Sequence, residues 1–347
     1  MLRIPYDDLY AALERACEHL GLRGERGQRC ARLFAETTRD GVYTHGLNRF
    51  PRFAATVANG CTDVSAVPSR ADSDTAGTNP LAIERWNGNL GVGNLNAYAA
   101  MERSIGLARQ FGLGAVAMAN TNHWMRGGSY GWQAAEAGSF AMCWTNTLAN
   151  LPPWGASTPA LGNNPLVIAA PRANGAHVVL DMAMSQFSYG TLTSYAARGA
   201  LLPVPGGFEQ TGELTRDPVA IEASRRALPV GYWKGSGLSL LLDLFAAMLS
   251  GGHAVNEIPI DSLRESGLSQ FFLAVDPANL AARAEMERIA DGAVAAVRAA
   301  TPIVPGQPAR YPGEQTLHLR EENLRLGVPV ESGVWHSLLA LKFEQWI

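Results

Sequence analysis

The sequence predicts an α/β or α+β protein that consists of a helical N-terminal lobe and a larger lobe built around a sheet. Two observations support this prediction. In roughly the first 60 residues, apolar side chains recur at the spacing of amphipathic helices. From residue 81 onward, short apolar runs typical of strands alternate with helical segments. The length of 347 residues agrees with about two domains.

The N-terminal lobe is predicted to contain three helices. Their approximate ranges are residues 8–20, 25–38 and 44–59, with Asp7 or Asp8 as the first cap and Thr44 as the third. Pro51 favours a later start for the third helix, near Asn48, because proline fits only the first turn of a helix. Residues 62–80 lack a pattern and are rich in Ser, Asp, Pro and Thr, so they are predicted to form a connection.

Strands and helices alternate in the second lobe. Strands are predicted at residues 81–86, 114–119, 140–144, 166–170, 177–181 and 270–275, and helices at about residues 94–111, 129–136, 238–249 and 280–300. Two C-terminal helices follow, at about residues 314–326 and 332–343. Leu9, Leu13, Phe34 and Phe53 of the N-terminal helices need a partner surface, so the C-terminal helices are predicted to cover them.

The composition limits the classes of partner and compartment. At 47% apolar residues the chain can bury a sizeable core, and a net charge of −3 offers no electrostatic basis for binding nucleic acid or a membrane surface. The N-terminus lacks the apolar run of a signal peptide, and no stretch reaches the length of a membrane span. The four cysteines are scattered, without the spacing of a zinc site or a disulfide framework. These features predict a cytoplasmic protein without a bound metal.

The segment at residues 40–52 combines one imidazole with two guanidinium groups, those of His45, Arg49 and Arg52. Near neutral pH an imidazole can transfer a proton, and an arginine beside it can hold a carboxylate through two parallel hydrogen bonds. Reduction of a 2-keto acid requires this combination of proton transfer and an anchored carboxylate. A single His-x3-Arg pair is more commonly a solvated helix face, so this interpretation depends on the rest of the chain.

A second polar segment, residues 120–131, follows a predicted buried strand and contains His123 and Arg126. Proteins of the α/β class place ligands where strands end in glycine-rich loops, so this segment is a second candidate for the site. Two histidines could instead bind a metal for a hydrolase or lyase reaction, but neither an H-x-x-H nor an HExxH spacing is present.

The sequence lacks both common phosphate-binding fingerprints. No G-x-G-x-x-G stands between a strand and a helix, and no Walker motif occurs. Lys234 lies in a Lys-Gly-Ser-Gly segment before a predicted helix, where a cation and free backbone N–H groups could bind a phosphate. A plain loop with a serine cap is the alternative interpretation of that segment.

Several segments, taken together and in order, resemble the malate/L-lactate dehydrogenase family of the non-Rossmann type. They are residues 44–46, 122–133, 143–146, 152–155, 162–165, 188–190 and 231–237. The resemblance covers nearly the whole chain, apart from an insertion at about residues 72–78 that lies outside every motif. The His-Trp-Met-Arg piece at residues 123–126 resembles the branch that reduces a 2-keto sugar acid more than it resembles the malate or lactate branches.

The resemblance implies an NADH-dependent reductase of a 2-keto sugar acid, with NADPH as an alternative cofactor, that forms a homodimer. It also implies a cofactor lobe with a mixed sheet in place of a Rossmann fold, which explains the missing glycine fingerprint. His45 is implied as the proton donor, whereas relatives in the wider family use an acid/base histidine at the position of His123. The implied cofactor contacts are His177, Val178, Val179, Leu180, Asp181, Met182, Ala183, Trp233, Lys234, Gly313, Glu314 and Gln315.

The separation of these contacts predicts lobes built from discontinuous chain. The helical lobe is predicted to comprise residues 1–75 and to be completed by helices from about residues 280–347. The cofactor lobe is predicted to comprise residues 76–275, with residues 305–315 contributing to it.

In the predicted mechanism, Arg49, with Arg52 or Arg126, anchors the substrate carboxylate, and His45 donates a proton to the alkoxide formed by hydride transfer. Arg49 disfavours a charged imidazole beside it, so the bound carboxylate or Asp40 must offset this effect. Two other reactions remain open on the same scaffold. They are dehydrogenation of another 2-hydroxy acid, such as malate, lactate or ureidoglycolate, and reduction of a cyclic imino acid.

Overall fold

The computed structural model describes residues 2–71 and 81–343. The insertion predicted at about residues 72–78, and with it the second part of the predicted connection, lies outside the described residues. The first part of that connection contains a short strand at Ser69–Arg70, which the sequence analysis did not predict.

Eleven α-helices are found in the described residues. They are α1 (Tyr6–His19), α2 (Gly24–Arg39), α3 (Phe50–Ala58), α4 (Gly93–Phe111), α5 (Gly128–Glu136), α6 (Tyr189–Ala197), α7 (Pro218–Ser224), α8 (Trp233–Ser250), α9 (Arg283–Ala299), α10 (Glu314–Leu326) and α11 (Ser332–Leu339). Helices α6 and α7 were not predicted, because their residues carry a mixed pattern of glycine, proline and polar side chains.

Eleven strands are found in the same residues. They are β1 (Leu2–Ile4), β2 (Ser69–Arg70), β3 (Ile83–Asn87), β4 (Leu113–Asn122), β5 (Phe140–Thr145), β6 (Leu166–Ala170), β7 (Val178–Met182), β8 (Gly207–Phe208), β9 (Leu214–Thr215), β10 (Ser266–Val275) and β11 (Val328–Val330). Every strand predicted from the sequence is present, and β4 and β10 extend beyond their predicted ranges.

The main sheet has seven strands in the order β2-β3-β4-β10-β5-β6-β7. Strands β3 and β4 are parallel, and all other neighbours in this sheet are antiparallel. A Rossmann sheet is largely parallel, so this mixed sheet confirms the non-Rossmann α/β fold that the resemblance implies. Helices α4 and α5 pack on one face of the sheet, and α8 packs on the other.

The helical lobe draws its core from both ends of the chain. Leu9, Leu13 and Phe34 pack in one cluster with Trp335 and Leu338 of α11, as the apolar faces of the N-terminal helices predict. Strand β1 also pairs with β11, which joins the two ends through backbone hydrogen bonds. Of the C-terminal helices predicted to complete this lobe, α9 and α10 contribute no residue to this cluster.

The backbone around His45 differs from the predicted helix that begins at Thr44. Two 3₁₀ turns, Tyr43–His45 and Leu47–Arg49, precede α3, which begins at Phe50. Pro51 therefore lies in the first turn of α3, where its missing N–H leaves no hydrogen bond unmade. As a result, His45 and Arg49 occupy successive short turns and not one face of a continuous helix.

The start of α8 also differs from the prediction. The helix begins at Trp233, whereas the sequence analysis placed its start at about residue 238. Lys234 and the glycines that follow it therefore form the first turn of the helix and not a loop before it. Glycine is required at position 235 in this turn, because a Cβ there would be 2.2 Å from the carbonyl oxygen of Val230.

Candidate active site

A cavity of about 430 Å³ lies beside the 3₁₀ turns that precede α3. His45, Arg49, Arg52 and His123 all contribute to its wall, so the two polar segments found in the sequence meet at one site. The first segment is held by the turns before α3, and the second follows β4 at the edge where that strand ends.

The rest of the cavity wall comes from loops and helices distant in sequence and combines apolar residues, such as Leu148 and Ile260, with many polar ones. It includes Thr147, Asn150, Asn163, Ser188, Tyr189, Gly190, Glu222, Arg225, Ser262 and Glu265. The side chains on one side are held in a network, since Asn163 Oδ1 accepts from Thr147 Oγ1 and Asn150 Nδ2, each at 3.1 Å. The Tyr189 hydroxyl donates to the Asn150 carbonyl at 2.9 Å.

Gly190 allows α6 to approach the catalytic candidates closely. A Cβ atom at this position would lie 2.7 Å from Thr44 Cγ2, which is inside contact distance. Thr44 is the neighbour of His45, so the start of α6 forms the wall of the cavity opposite the imidazole only because residue 190 has no side chain.

The two imidazole rings of His45 and His123 are stacked, with centroids 5.9 Å apart and an angle of 21° between the ring planes. Their hydrogen bonds differ. His45 Nδ1 is 2.9 Å from the Thr44 hydroxyl, which can either donate or accept. His123 Nδ1 accepts the backbone N–H of Met125 at 3.0 Å, so the neutral ring carries its proton on Nε2.

The pKa of each histidine is lowered, first of all by burial. Burial, together with the positive charges of Arg49, Arg126 and Arg52, lowers the pKa of His45 from 6.5 to about 4. Burial and the charges of Arg49, His45 and Arg52 hold the pKa of His123 well below its usual value. Both rings are therefore neutral at pH 7 in the protein without ligands.

Arg49 and Arg52 share a carboxylate that the sequence analysis did not single out. Arg49 Nη2 and Arg52 Nη2 lie 3.7 Å and 3.6 Å from Glu265 Oε2. Arg52 also donates from Nε and Nη2 to the Ser262 carbonyl, at 3.0 Å and 2.5 Å. An isolated glutamate in a loop before a strand carries no sequence signal, so Glu265 could be found only from the structure.

Arg126 lies away from the cavity wall, in a buried ion cluster. Its Nη1 donates to Asp40 Oδ2 at 2.7 Å, and Arg320 donates to both oxygens of Asp40 at 2.9 Å and 2.7 Å. Arg39 Nε completes the cluster at 2.8 Å from Asp40 Oδ1. Although burial raises the pKa of Asp40, the hydrogen bond from Arg320 and the surrounding guanidinium charges hold it well below its usual range.

The first and third implied cofactor segments are brought together, although they are far apart in sequence. Strand β7 contains Val178 to Met182, and the Val179 N–H donates to the Pro312 carbonyl at 3.0 Å. Gly313 has a φ of +94°, and a Cβ atom there would be 3.2 Å from the Val179 nitrogen. Glycine is therefore required where the start of α10 meets β7.

Asp181 lies in strand β7. Its Oδ2 accepts the Gly128 N–H at the start of α5, at 2.7 Å. Burial of the carboxyl group among protein atoms raises its pKa, although the residue as a whole is solvent-exposed.

The remaining implied cofactor residues have different environments. Trp233 is exposed, and Lys234 Nζ lies 6.0 Å from the centroid of its indole ring. Glu314 is buried and is held by Arg298, whose Nε donates to it at 2.8 Å, whereas Gln315 accepts from Arg310. The loop after β7 pairs with residues 228–230, which lead into α8, so the second segment lies near the end of β7.

The residues that the structure describes contain no group of three or more His, Cys, Asp or Glu side chains that could hold a metal ion. None of the helices in this part of the chain combines the length and the apolar character that a membrane span needs.

Comparisons with known proteins cover the whole chain. The family profile described as malate/L-lactate dehydrogenase matches residues 4–339. The 2,3-diketo-L-gulonate reductases of Shigella boydii serotype 4 (strain Sb227) and Escherichia coli (strain K12 / DH10B) are each 44% identical over 344 residues, which covers 98% of this chain and 100% of theirs.

Solved structures share the fold. The delta1-piperideine-2-carboxylate reductase from Pseudomonas syringae pvar. tomato is 27% identical, has a TM-score of 0.84, and covers 98% of this chain and 100% of its own. The malate dehydrogenase from Entamoeba histolytica is 21% identical, has a TM-score of 0.90, and covers 100% of this chain and 98% of its own.

The mixed sheet, the cavity that joins histidines to arginines, and these matches define an oxidoreductase that acts on a CH–OH group. The chain belongs to the malate/L-lactate dehydrogenase family, as the resemblance of its motifs predicts. Dehydrogenases of this family use nicotinamide cofactors.

Proposed function

We propose that this protein reduces a 2-keto sugar acid, 2,3-diketo-L-gulonate, to 3-keto-L-gulonate with NADH. The observation that carries the proposal is the meeting of His45 and Arg49 on the wall of one polar cavity of about 430 Å³. The relatives that are 44% identical over almost the entire chain are named for the reduction of 2,3-diketo-L-gulonate.

Arg49 binds the substrate carboxylate. Its guanidinium contacts Glu265 at 3.7 Å, too far for a hydrogen bond, and it donates no hydrogen bond to any other residue within the described ranges. The planar fork of an arginine matches a carboxylate in two-pronged geometry. Arg52 contributes charge, because its Nε and one terminal nitrogen are already engaged by the Ser262 carbonyl.

His45 donates the proton, and the hydrogen bonds of the two histidines favour it over His123. A proton donor must exist in both protonation states, and the Thr44 hydroxyl accommodates either state of His45 Nδ1. An imidazolium at His123 would direct an N–H at the backbone N–H of Met125. His123 therefore stays neutral and uses its Nε2–H as a hydrogen-bond donor to the substrate oxygen.

The substrate itself raises the pKa of His45 to a useful range. In the protein without ligands, burial and three arginines keep this imidazole neutral. A carboxylate on Arg49 brings a negative charge next to the ring and favours the imidazolium. A reduced nicotinamide, when bound, supplies a hydride to the adjacent C2 carbonyl, and His45 delivers its proton to the oxygen that becomes a hydroxyl.

The opposite wall suits a hydroxylated tail. Asn150, Asn163, Ser188 and Glu222 bring amide, hydroxyl and carboxylate groups to one cavity. A site that pairs donors and acceptors with substrate hydroxyls discriminates strongly against an analogue without them, because the buried groups would be left unpaired. This polarity favours a sugar acid over the short, unsubstituted lactate chain.

The cofactor is held along β7. Its pyrophosphate would contact the first turn of α8, where Lys234 supplies a cation and the Gly235 N–H makes no hydrogen bond within the described part of the chain. The rest of the molecule would lie along β7 beside Asp181, which is solvent-exposed. Lys234→Ala should raise the KM for NADH about tenfold. An unchanged KM would mean that the phosphates bind elsewhere.

The protein acts as a homodimer in the cytoplasm. Large apolar side chains of α8 are exposed on the isolated chain, among them Leu241, Phe245 and Met248. A second copy would cover this face, as patches of this kind mark interfaces. Sedimentation of the wild-type protein should show a dimer. Phe245→Glu should dissociate this dimer, and Leu280→Glu, at another exposed position, should leave it intact.

All four cysteines are unpaired, which supports a reducing compartment.

The proposed reaction is tested by following NADH and NADPH absorbance with a panel of substrates. The panel contains 2,3-diketo-L-gulonate, pyruvate, oxaloacetate and a cyclic imino acid. We expect the highest kcat/KM with 2,3-diketo-L-gulonate and NADH. A higher kcat/KM with oxaloacetate or the cyclic imine would contradict the proposed substrate, and a preference for NADPH would contradict the proposed cofactor.

A further inference from the structure

Glu265 is a buried carboxylate placed between the two guanidinium groups of the cavity. Its Oε2 is 3.7 Å from Arg49 Nη2 and 3.6 Å from Arg52 Nη2. Its Oε1 accepts the backbone N–H of Leu148 at 3.2 Å. Because it is held from both sides, this carboxylate stays beside the arginines whether or not a substrate is present.

Glu265 changes the number of negative charges that the cavity can neutralise. The charged side chains of the wall are Arg49, Arg52, Arg225, Glu222 and Glu265. With both imidazoles neutral, three guanidinium groups and two carboxylates leave a formal charge of +1. One substrate carboxylate therefore completes a formally neutral site, and a second anionic group would leave the site with a net negative charge.

The available hydrogen-bond donors lead to the same conclusion. Arg52 is committed to the Ser262 carbonyl and to Glu265. Arg49 is the guanidinium of the pair whose nitrogens make no hydrogen bond within the described part of the chain. Arg49 and Arg52 therefore offer only one free guanidinium group, that of Arg49, to a substrate carboxylate.

We propose that Glu265 is a specificity-determining residue that restricts this site to 2-keto acids with a single negative charge and excludes dicarboxylic 2-keto acids. The inference rests on the proposed function, since it assumes that a substrate carboxylate binds Arg49. Charges of the same sign juxtaposed within a binding site suppress the wrong partner, and the burial of Glu265 strengthens that repulsion.

The test compares two substrates that differ only in a terminal carboxylate, 2-oxovalerate and 2-oxoglutarate. In the wild-type protein, kcat/KM with NADH should favour 2-oxovalerate. Glu265→Gln keeps the shape of the side chain and removes its charge, so it should move the ratio of the two kcat/KM values toward 2-oxoglutarate by about tenfold to a hundredfold. A purely structural role would lower both values together and leave the ratio unchanged, which would overturn the inference.

Two further variants complete the test. Glu265→Asp keeps the charge and should keep the wild-type ratio, so an equal shift in this variant would overturn the inference. Glu213→Gln removes an exposed carboxylate outside the cavity and should have no effect. If Glu265→Gln does not fold, Glu222→Gln can replace it in the test, because it removes the other carboxylate of the wall. By the same charge argument, Glu222→Gln should move the ratio of the two kcat/KM values toward 2-oxoglutarate. An unchanged ratio in this variant would count against the inference.

Failure of this inference can be separated from failure of the proposed function. A wild-type protein that reduces no 2-keto acid with either nicotinamide would overturn the proposed function. A wild-type protein that reduces 2,3-diketo-L-gulonate, together with a Glu265→Gln ratio that does not move, would overturn the role of Glu265 alone.

Discussion

Two segments of this chain carry the same chemical groups, but their arginines lie in different environments. The first contains His45 and Arg49, and the second contains His123 and Arg126. Arg49 lines the cavity and has only a long contact with Glu265. Arg126 is buried against Asp40 at 2.7 Å, in a cluster that also contains Arg320.

The difference lies in what surrounds each guanidinium and not in the guanidinium itself. Asp40 accepts hydrogen bonds from three arginines and gives Arg126 a hydrogen-bonded carboxylate inside the protein. Glu265 is shared between two arginines at a distance that leaves Arg49 able to bind another carboxylate. A buried arginine that donates to an internal carboxylate belongs to the structure of the fold, whereas one without such a hydrogen bond is available to a ligand.

The largest effect should separate the two histidines. We expect His45→Ala to lower kcat by roughly a hundredfold to ten-thousandfold, because it removes the proton donor. His123→Ala should cost less, about tenfold to a hundredfold, because it removes a hydrogen-bond donor to the reacting oxygen. NADH should still bind both variants, as measured by fluorescence titration. If only His123→Ala abolished turnover with binding intact, the two roles would have to be exchanged.

Stability should depend on the Asp40 cluster. Asp40→Asn leaves buried Arg126 without a charged partner and should lower the free energy of unfolding by about 3–5 kcal/mol, measured in urea. The same change at exposed Asp8 should alter it by less than about 0.5 kcal/mol. Equal free energies of unfolding for the Asp40 variant and the wild type would mean that the Asp40 cluster does not stabilise the fold.

Replacement by lysine, which conserves the charge, should have different effects at Arg49 and at Arg126. Arg49→Lys loses the two-pronged geometry and should raise the KM for the keto acid about tenfold to a hundredfold, with the free energy of unfolding nearly unchanged. Arg126→Lys should show the reverse, a loss of stability with little change in KM. A raised KM in both variants would indicate that Arg126 also contacts the substrate.

The last prediction concerns pH. Reduction requires the His45 imidazolium, and the pKa of this group in the protein without ligands is about 4. The kcat/KM for reduction should therefore rise about tenfold per pH unit as the pH falls from 8 toward 5, while oxidation of the hydroxy acid, which uses the neutral ring, should change little. Arg49→Met removes a neighbouring positive charge and should shift the profile to higher pH. A flat profile for reduction would argue against His45 as the donor.

Local patterns in the sequence were sufficient to find most elements and the polar segments. The bounds of α10 are those predicted, and each predicted strand is present, because apolar periodicity reflects which side chains face a core. The motifs around His45 and His123 were recognisable for the same reason, since the residue types of a site lie close together in the chain. Of the two starts predicted for the third helix, the later one near Asn48 is closer to the observed start at Phe50, because Pro51 fits only the first turn of a helix.

The distinction between Arg49 and Arg126 could not be made from the sequence. It depends on Asp40 and Glu265, which lie 86 and 216 positions from the arginines they contact. The nearness of Gly313 to β7 has the same origin, since the two are adjacent only after the chain returns to the edge of the sheet. Residue type and spacing therefore determine which chemical groups are present. Long-range packing determines which of them find a partner within the protein and which remain available to a substrate, because the strength of an ionic contact depends on distance and burial and not on position along the chain.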